Sequence, residues 1–212
     1  MSMKDKEVVF TDKTIYLKDN ERSIVMDSAS KKLMEMYSYV VCQYKANVLD
    51  IGFGMGFTAN YMVKLASTYT VIEINPQIYE KALEWSINKP NVQVIFGDWY
   101  EELPKMAQWR KQAFPFNGIF MDTHDDPNYN KFEEVAKSVA AEGCILSIFN
   151  YFTQRDPQTM NHYEYKLEPG NFSKVVTPVH NIYWTHFFDG EWRKSPTNKI
   201  NFPEPTSIIW TI

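Results

Sequence analysis

Asn47-Val48-Leu49-Asp50-Ile51-Gly52-Phe53-Gly54-Met55-Gly56 is the stretch on which the reading of this chain turns. Asn47–Ile51 is a short apolar run of strand length that opens directly into three glycines at alternate positions, and Phe57–Leu65 can continue as a helix. Glycine suits such a turn because the backbone bends sharply and a ligand can come close without a Cβ in the way.

Outward from the turn, apolar strand-like runs alternate with helical stretches. Tyr69–Ile74, Val92–Phe96, Asn117–Asp122 and Cys144–Phe149 read as the second to fifth strands. Asn75-Pro76 is a helix start, an N-cap followed by proline at the first helical position, and that helix runs to Lys89-Pro90. Further helices are expected around Glu101–Gln112 and over Asn130–Ala141, the latter ended by Gly143. Ahead of the turn, Asp27, Ser28 or Ser30 can cap a helix to about Lys45, with Leu33, Tyr37, Val40, Val41 and Tyr44 on its apolar face. Strands alternating with helices mean βαβ units and a mostly parallel sheet.

Composition bounds what such a fold does. The chain has 212 residues, enough for one well-buried core, and 44% of them are hydrophobic, as in a folded protein. A formal charge of −4 with no basic run argues against a nucleic-acid partner. No run of about 18 uncharged apolar residues is present, so no membrane span is expected. Only Cys42 and Cys144 occur, on separate apolar elements, which favours free thiols in a reducing compartment; a cytoplasmic location is the expectation.

An acid follows the turn at the expected distance. Glu73 ends the second strand, 21 positions after Gly52, where a carboxylate can accept hydrogen bonds from both ribose hydroxyls of an adenosine group. One residue, not two, separates Gly54 from Gly56, and Asp50 stands two positions before Gly52. An acid there is poorly placed beside a pyrophosphate and better suited to an amino-acid ammonium. This acid-x-Gly-x-Gly-x-Gly pattern resembles the first motif of class I S-adenosylmethionine-dependent methyltransferases. Gly97-Asp98-Trp99 after the third strand and Asp122 at the end of the fourth fall where that class reads the adenine and faces the transferred methyl.

A narrower resemblance follows from particular residues. Guanidinoacetate N-methyltransferase and its relatives carry Gly-Phe-Gly-Met, Ile-Glu, Gly-x-Trp and Asp-Thr, matched by Gly52-Phe53-Gly54-Met55, Ile72-Glu73, Gly97-Asp98-Trp99 and Asp122-Thr123. Val25-Met26-Asp27 is similar to the family's Val-Met-Glu, whose acid holds the substrate guanidinium, and Asn150 to Thr153 approach its Asn-x-Thr. Asp27 is one methylene shorter than that glutamate, and His124 replaces an aromatic hydroxyl residue. The resemblance covers roughly residues 20–153. It implies a Rossmann-like fold with a mostly parallel seven-stranded sheet, helices on both faces and an antiparallel C-terminal hairpin. It also implies S-adenosyl-L-methionine as cofactor, bound by Asp50, Gly52, Phe53, Gly54, Gly56, Glu73, Ile74, Asp98, Trp99 and Asp122.

On the acceptor side, methyl transfer from a sulfonium is an in-line displacement that depends largely on positioning. Asp27 and Asp122 could clamp a planar guanidino or amino cation, with Thr123 and Asn150 as further substrate contacts and His124 as a base or rim residue. Asp27 reads equally as a plain helix cap. The expected partner is a small-molecule methyl acceptor, and no metal ligand is assigned. A metal-dependent O-methyltransferase using Asp122 and Asn150 is an alternative, but Phe149 stands where a second acid is needed. A methyltransferase-like binding or scaffold subunit is the non-enzymatic alternative.

The whole is read as one domain: a flap and helix over residues 1–45, a cofactor-binding core over 46–150, and C-terminal strands with a substrate lid over 151–212. Strand-like segments at Lys174–Val179, Ile182–Phe188 and Ser207–Ile212, with a hairpin turn at Asp189-Gly190, make up that tail. Its aromatics Tyr183, Trp184, Phe187, Phe188 and Trp192 suit an added sheet, a lid or a homodimer face.

Overall fold

The computed structural model describes residues 2–43, 47–110, 114–124, 129–149 and 183–199. The expected strands at Lys174–Val179 and Ser207–Ile212, and Asn150 with Thr153, lie outside the described residues.

Ten strands and five α-helices occur among the described residues. β1 (Val8–Phe10), β2 (Thr14–Leu17) and β3 (Asn20–Asp27) precede α1 (Lys31–Val41). Then β4 (Asn47–Ile51), α2 (Phe57–Leu65), β5 (Thr68–Glu73), α3 (Pro76–Ser86), β6 (Val92–Phe96), α4 (Trp99–Arg110), β7 (Phe116–Met121), α5 (Tyr129–Ala136) and β8 (Ala140–Ile148) alternate as expected. β9 (Tyr183–Phe188) and β10 (Glu191–Lys199) close the described chain.

Five strands, β6-β5-β4-β7-β8, are parallel, and the expected count of seven is reached only with the antiparallel β9–β10 hairpin. The β9–β10 hairpin attaches antiparallel at the β8 edge, so the hydrogen-bonded order runs β10-β9-β8-β7-β4-β5-β6. Its turn is the expected Asp189-Gly190, with both residues at positive φ (52° and 79°), the combination that matches strand twist in a two-residue hairpin. β1, β2 and β3 form a separate antiparallel sheet, where the sequence reading had only a flap.

Each strand of the parallel sheet sends alternate residues to two faces, as the period of two requires. Val48, Val71, Phe120 and Ile145 join the core that includes α1, α2 and the N-terminal sheet. Leu49, Ile72, Ile119 and Leu146 join the core beneath α4 and α5. Burying both faces explains why these strands read as continuous apolar runs.

Two elements differ from expectation for local reasons. α5 stops at Ala136 rather than Ala141, and β8 begins at Ala140, before Gly143. Gly143 is at φ 77° inside the strand, and the β7–β8 register shifts between Phe116 and Gly118. The glycine marks a bulge, not a helix end. Asp27 caps a single 3₁₀ turn, Ser28–Ser30, before α1 begins.

Sheet order positions the site. β4 connects to β5 on one side and lies beside β7 on the other, so the chain reverses direction across the sheet between β4 and β7. In open α/β sheets ligands bind beyond the carboxyl ends of the strands at such a point. The register brings those ends level: Ile51 lies beside Ile72 and Met121, and Glu73 beside Phe96. Three backbone bonds then fix the loops, from Gly52 N–H to the Ile72 carbonyl (2.9 Å), Asp122 N–H to the Ile51 carbonyl (3.0 Å) and Gly97 N–H to the Glu73 carbonyl (3.0 Å).

Candidate functional site

At this edge lies a cavity of about 370 Å³, within the size range of small-molecule sites. Gly52, Gly54, Glu73, Ile74, Asp98, Trp99, Asp122, Thr123 and His124 line it, so most residues singled out from the sequence converge.

The glycine turn is built by close packing as much as by ligand clearance. Gly52 has φ 94°, and a Cβ there would sit 2.1 Å from the Asp122 carbonyl oxygen. The missing side chain therefore lets the β4 and β7 loops touch. At Gly54, φ 53°, a Cβ would meet the Met26 sulfur at 2.8 Å; at Gly56, φ 71°, it would meet the Phe53 ring. Phe53 does not line the cavity: its ring is buried against Trp85, centroids 5.5 Å apart, and only its backbone takes part in the turn.

Glu73 is 5% exposed. One carboxylate oxygen accepts from Phe53 N–H and the other from Asn75 N–H, both at 2.8 Å, which ties the glycine turn to the start of α3. Burial raises its pKa, and those backbone donors pull the other way. The carboxylate reaches the cavity already oriented, with lone pairs left for hydroxyl donors. Asp98 accepts from Tyr100 N–H (2.9 Å), and its carbonyl accepts from Glu101 and Glu102, so it caps α4 while facing the cavity. Trp99 packs edge-on against Phe132 and Tyr100.

Asp50 stands behind the cavity wall: Ile51 and Gly52, which follow it, line the cavity, and the Asp50 side chain lies on the same face of β4 as Val48. Its carboxylate is fully buried, and one oxygen accepts from Thr58 and Tyr69 hydroxyls, both at 2.7 Å. The other oxygen is buried without a protein partner. Burial pushes the Asp50 carboxyl up to about 7, against the two hydroxyl bonds and aided by the nearby charges of Asp122 and Glu73.

At the acceptor end, the Asp122 carboxyl opens onto the cavity but is otherwise enclosed, and burial pushes it up to about 7. Thr123 and His124 follow on the same wall. The second half of the expected clamp is not assembled. Asp27 turns back to accept from Ala29 N–H (2.7 Å) as the cap of the Ser28–Ser30 turn, and it is Val25 and Met26 that line the cavity. Among the described residues, no three His, Cys, Asp or Glu side chains are grouped to hold a metal ion.

The N-terminal segment was missed as part of the site. Ser2 and Met3 line the cavity together with Val25 and Met26. A register shift in the β2–β3 pairing, Ile15 facing Met26 but Tyr16 facing Ile24, lets consecutive residues 25 and 26 both turn to the cavity. Asn75 latches this segment. Its side-chain oxygen caps α3 through Gln77 and Ile78 N–H, while its amide donates to the carbonyls of Met3 (2.9 Å) and Lys6 (2.8 Å). Asn75-Pro76 signalled the cap, but nothing in it signalled the second pair of bonds. Tyr100 and Lys131, whose ammonium lies 3.5 Å from the Tyr100 ring centroid, also line the cavity and had no local signature.

The two cysteines are buried free thiols, Cys42 in the α1-side core and Cys144 in the other; burial pushes the Cys42 thiol up to about 12 and the Cys144 thiol higher still. No helix among the described residues is long and apolar enough to cross a membrane.

Comparison with known proteins adds an independent finding. The sequence model of the family described as guanidinoacetate N-methyltransferase matches residues 10–151. No curated protein sequence matches the chain. Among solved structures, spermidine synthase from Thermotoga maritima is 12% identical, with 70% of this chain and 59% of that chain covered and a TM-score of 0.51. The fibrillarin pre-rRNA processing protein of Methanococcus jannaschii is 16% identical, covering 76% and 70%, with a TM-score of 0.50. The O-methyltransferase TomG from Streptomyces achromogenes, solved in complex with SAM, is 18% identical, covering 58% and 56%, with a TM-score of 0.47. The match thus spans just over half the length of TomG and of the spermidine synthase. At such identities the first two likenesses show a shared fold and do not choose a reaction.

Proposed function

The chain belongs to the guanidinoacetate N-methyltransferase family, and on that premise we propose that it methylates a nitrogen of a small guanidino or amino compound with S-adenosylmethionine as donor. The observation that carries this reading is that Asp122 lines one cavity with Gly52, Glu73 and Asp98.

The residues fit the donor. Gly52 and Gly54 supply a wall without side chains, and Glu73 is a preoriented acceptor for ribose hydroxyls. Asp98 and Trp99 offer a polar group and an aromatic face to adenine, and Ile74 adds apolar lining. Asp50 acts from behind, holding β4 and α2 through Thr58 and Tyr69. When bound, S-adenosylmethionine would supply a methyl carbon on a sulfonium, open to in-line attack by a nitrogen lone pair.

The protein's own work is at the acceptor. The Asp122 carboxylate pairs with the nitrogen group, orients it, and accepts one proton from it, as the C–N bond forms for a guanidinium and before attack for an ammonium, so that the nitrogen lone pair is available. Its raised pKa suits it to that exchange near neutral pH. Thr123 and His124 give further polar contacts on the same wall, whereas Asp27 serves as a cap.

The test is transfer of labelled methyl from S-adenosylmethionine to a panel of guanidino compounds, primary amines and catechols. Labelling of guanidino or amino members without added metal is the expected result. Transfer confined to catechols and dependent on magnesium would overturn the reading in favour of an O-methyltransferase. Absence of S-adenosylmethionine binding in calorimetry would leave a binding or scaffold subunit instead.

A further inference from the structure

The N-terminal sheet does more than cover the cavity. Ser23, on β3, has its Oγ 3.1 Å from Nε2 of His124, joining residues 101 positions apart across the acceptor end. Ser23 and Val25 are partly buried and Ile24 between them is 45% exposed, so Ser23 shares the cavity-facing side of the strand with Val25. His124 itself lines the cavity next to Asp122 and Thr123.

A neutral imidazole has one donor nitrogen and one acceptor, and a bond at one nitrogen fixes the ring and leaves the other for a ligand. A serine hydroxyl can either donate to Nε2 or accept from it. Either way Nε2 is occupied, and Nδ1, which has no partner among the described residues, is the nitrogen left to meet an acceptor molecule.

We propose that Ser23 is a positioning residue for His124, so that the N-terminal sheet sets which polar group the methyl acceptor meets beside Asp122. The proposal rests on the methyltransferase reading above for its kinetic consequence, but not for its structural one. Specificity at the acceptor end is then shared between β7, which carries Asp122 and His124 at its end, and β3, which fixes the imidazole.

The experiment uses the full chain and two readouts. In ¹⁵N spectra of the imidazoles, four histidines in all and His124 assigned by its absence in His124→Ala, Ser23→Ala is expected to shift the His124 nitrogens toward fast tautomer averaging, and Ser23→Thr to restore them. In kinetics with the best acceptor of the panel, Ser23→Ala is expected to lower kcat/KM for the acceptor about 3- to 10-fold, the range of one net hydrogen bond. The dissociation constant for S-adenosylmethionine should change less than about 2-fold, as Ser23 is remote from the adenosine wall. In a His124→Ala background, Ser23→Ala should have no further effect. Unchanged imidazole spectra, or an equal loss in both backgrounds, would overturn the proposal. Should no guanidino or amino acceptor be methylated, the functional reading fails while the spectra still decide the role of Ser23.

Discussion

The two ends of the cavity are built differently. The donor end is local: Gly52, Gly54, Glu73 and Asp98 each sit at the end of a parallel strand, within 47 positions of one another, held by backbone bonds between adjacent loops. The acceptor end is assembled from afar. Asp122, Thr123 and His124 follow β7, but the surface opposite them comes from Ser2, Met3, Val25 and Met26, about a hundred positions earlier. An end fixed by sheet register tolerates little change, whereas one made by a docked N-terminal sheet can vary its chemistry without disturbing the fold.

The sharpest break of this contrast is at the glycines. Gly52→Ala pushes a Cβ into the Asp122 backbone at 2.1 Å and is strained at φ 94°, so neither neighbour can yield cheaply. A loss of about 3 kcal/mol or more in urea unfolding is expected, with loss of donor binding. Gly54→Ala meets only the end of the flexible Met26 side chain, and about 1–2 kcal/mol is expected, the usual penalty of the left-handed region. Equal losses at the two positions would show that the docked N-terminal sheet is as rigid as the parallel sheet, and the comparison would collapse.

Next in size is the acceptor carboxylate. Asp122→Asn keeps the shape and the backbone bond to Ile51 but removes the charge and the base. Turnover is expected to fall by about 100-fold or more, with donor affinity within a few-fold of wild type by calorimetry. The ionised form is the active one and burial raises the carboxyl to about 7, so kcat/KM of the wild type should rise with pH up to about 7 and level off above. A profile that survives in Asp122→Asn would belong to Asp50, whose carboxyl burial lifts to the same range.

The smallest expected effect is the one that discriminates most. Asparagine caps helices about as well as aspartate, so Asp27→Asn should leave stability within about 0.5 kcal/mol and kcat/KM within about 2-fold. A drop beyond about 10-fold would mean that the carboxylate swings into the cavity when the acceptor binds. That would restore the two-carboxylate clamp.

How much of this was legible in the sequence follows the same division. Strand β4, the glycine turn and the Asn75-Pro76 helix start were readable because period, turn chemistry and capping are properties of neighbours in the chain. The placement of Glu73, Asp98 and Asp122 around one cavity was readable because strand ends in a parallel sheet align once the strands are identified. The surroundings of Asp50 were not readable: the motif gives its distance from the glycine, but the Thr58 and Tyr69 hydroxyls that hold one of its oxygens come from α2 and β5. For Asp27 the sequence left a helix cap and a substrate ligand open, and the backbone N–H of Ala29 takes its carboxylate as a cap.

By itself the sequence determined the order of strands and helices, the glycine turn and the list of candidate acids, since each of these rests on local conformational preference. Only the tertiary structure decided that the parallel strands stop at five, that β1, β2 and β3 form a sheet whose leading segment is latched by Asn75, and that Ser23 meets His124. Those are contacts between segments far apart in the chain. They come from burying the apolar faces of both sheets together, and no short stretch of residues encodes the geometry that results.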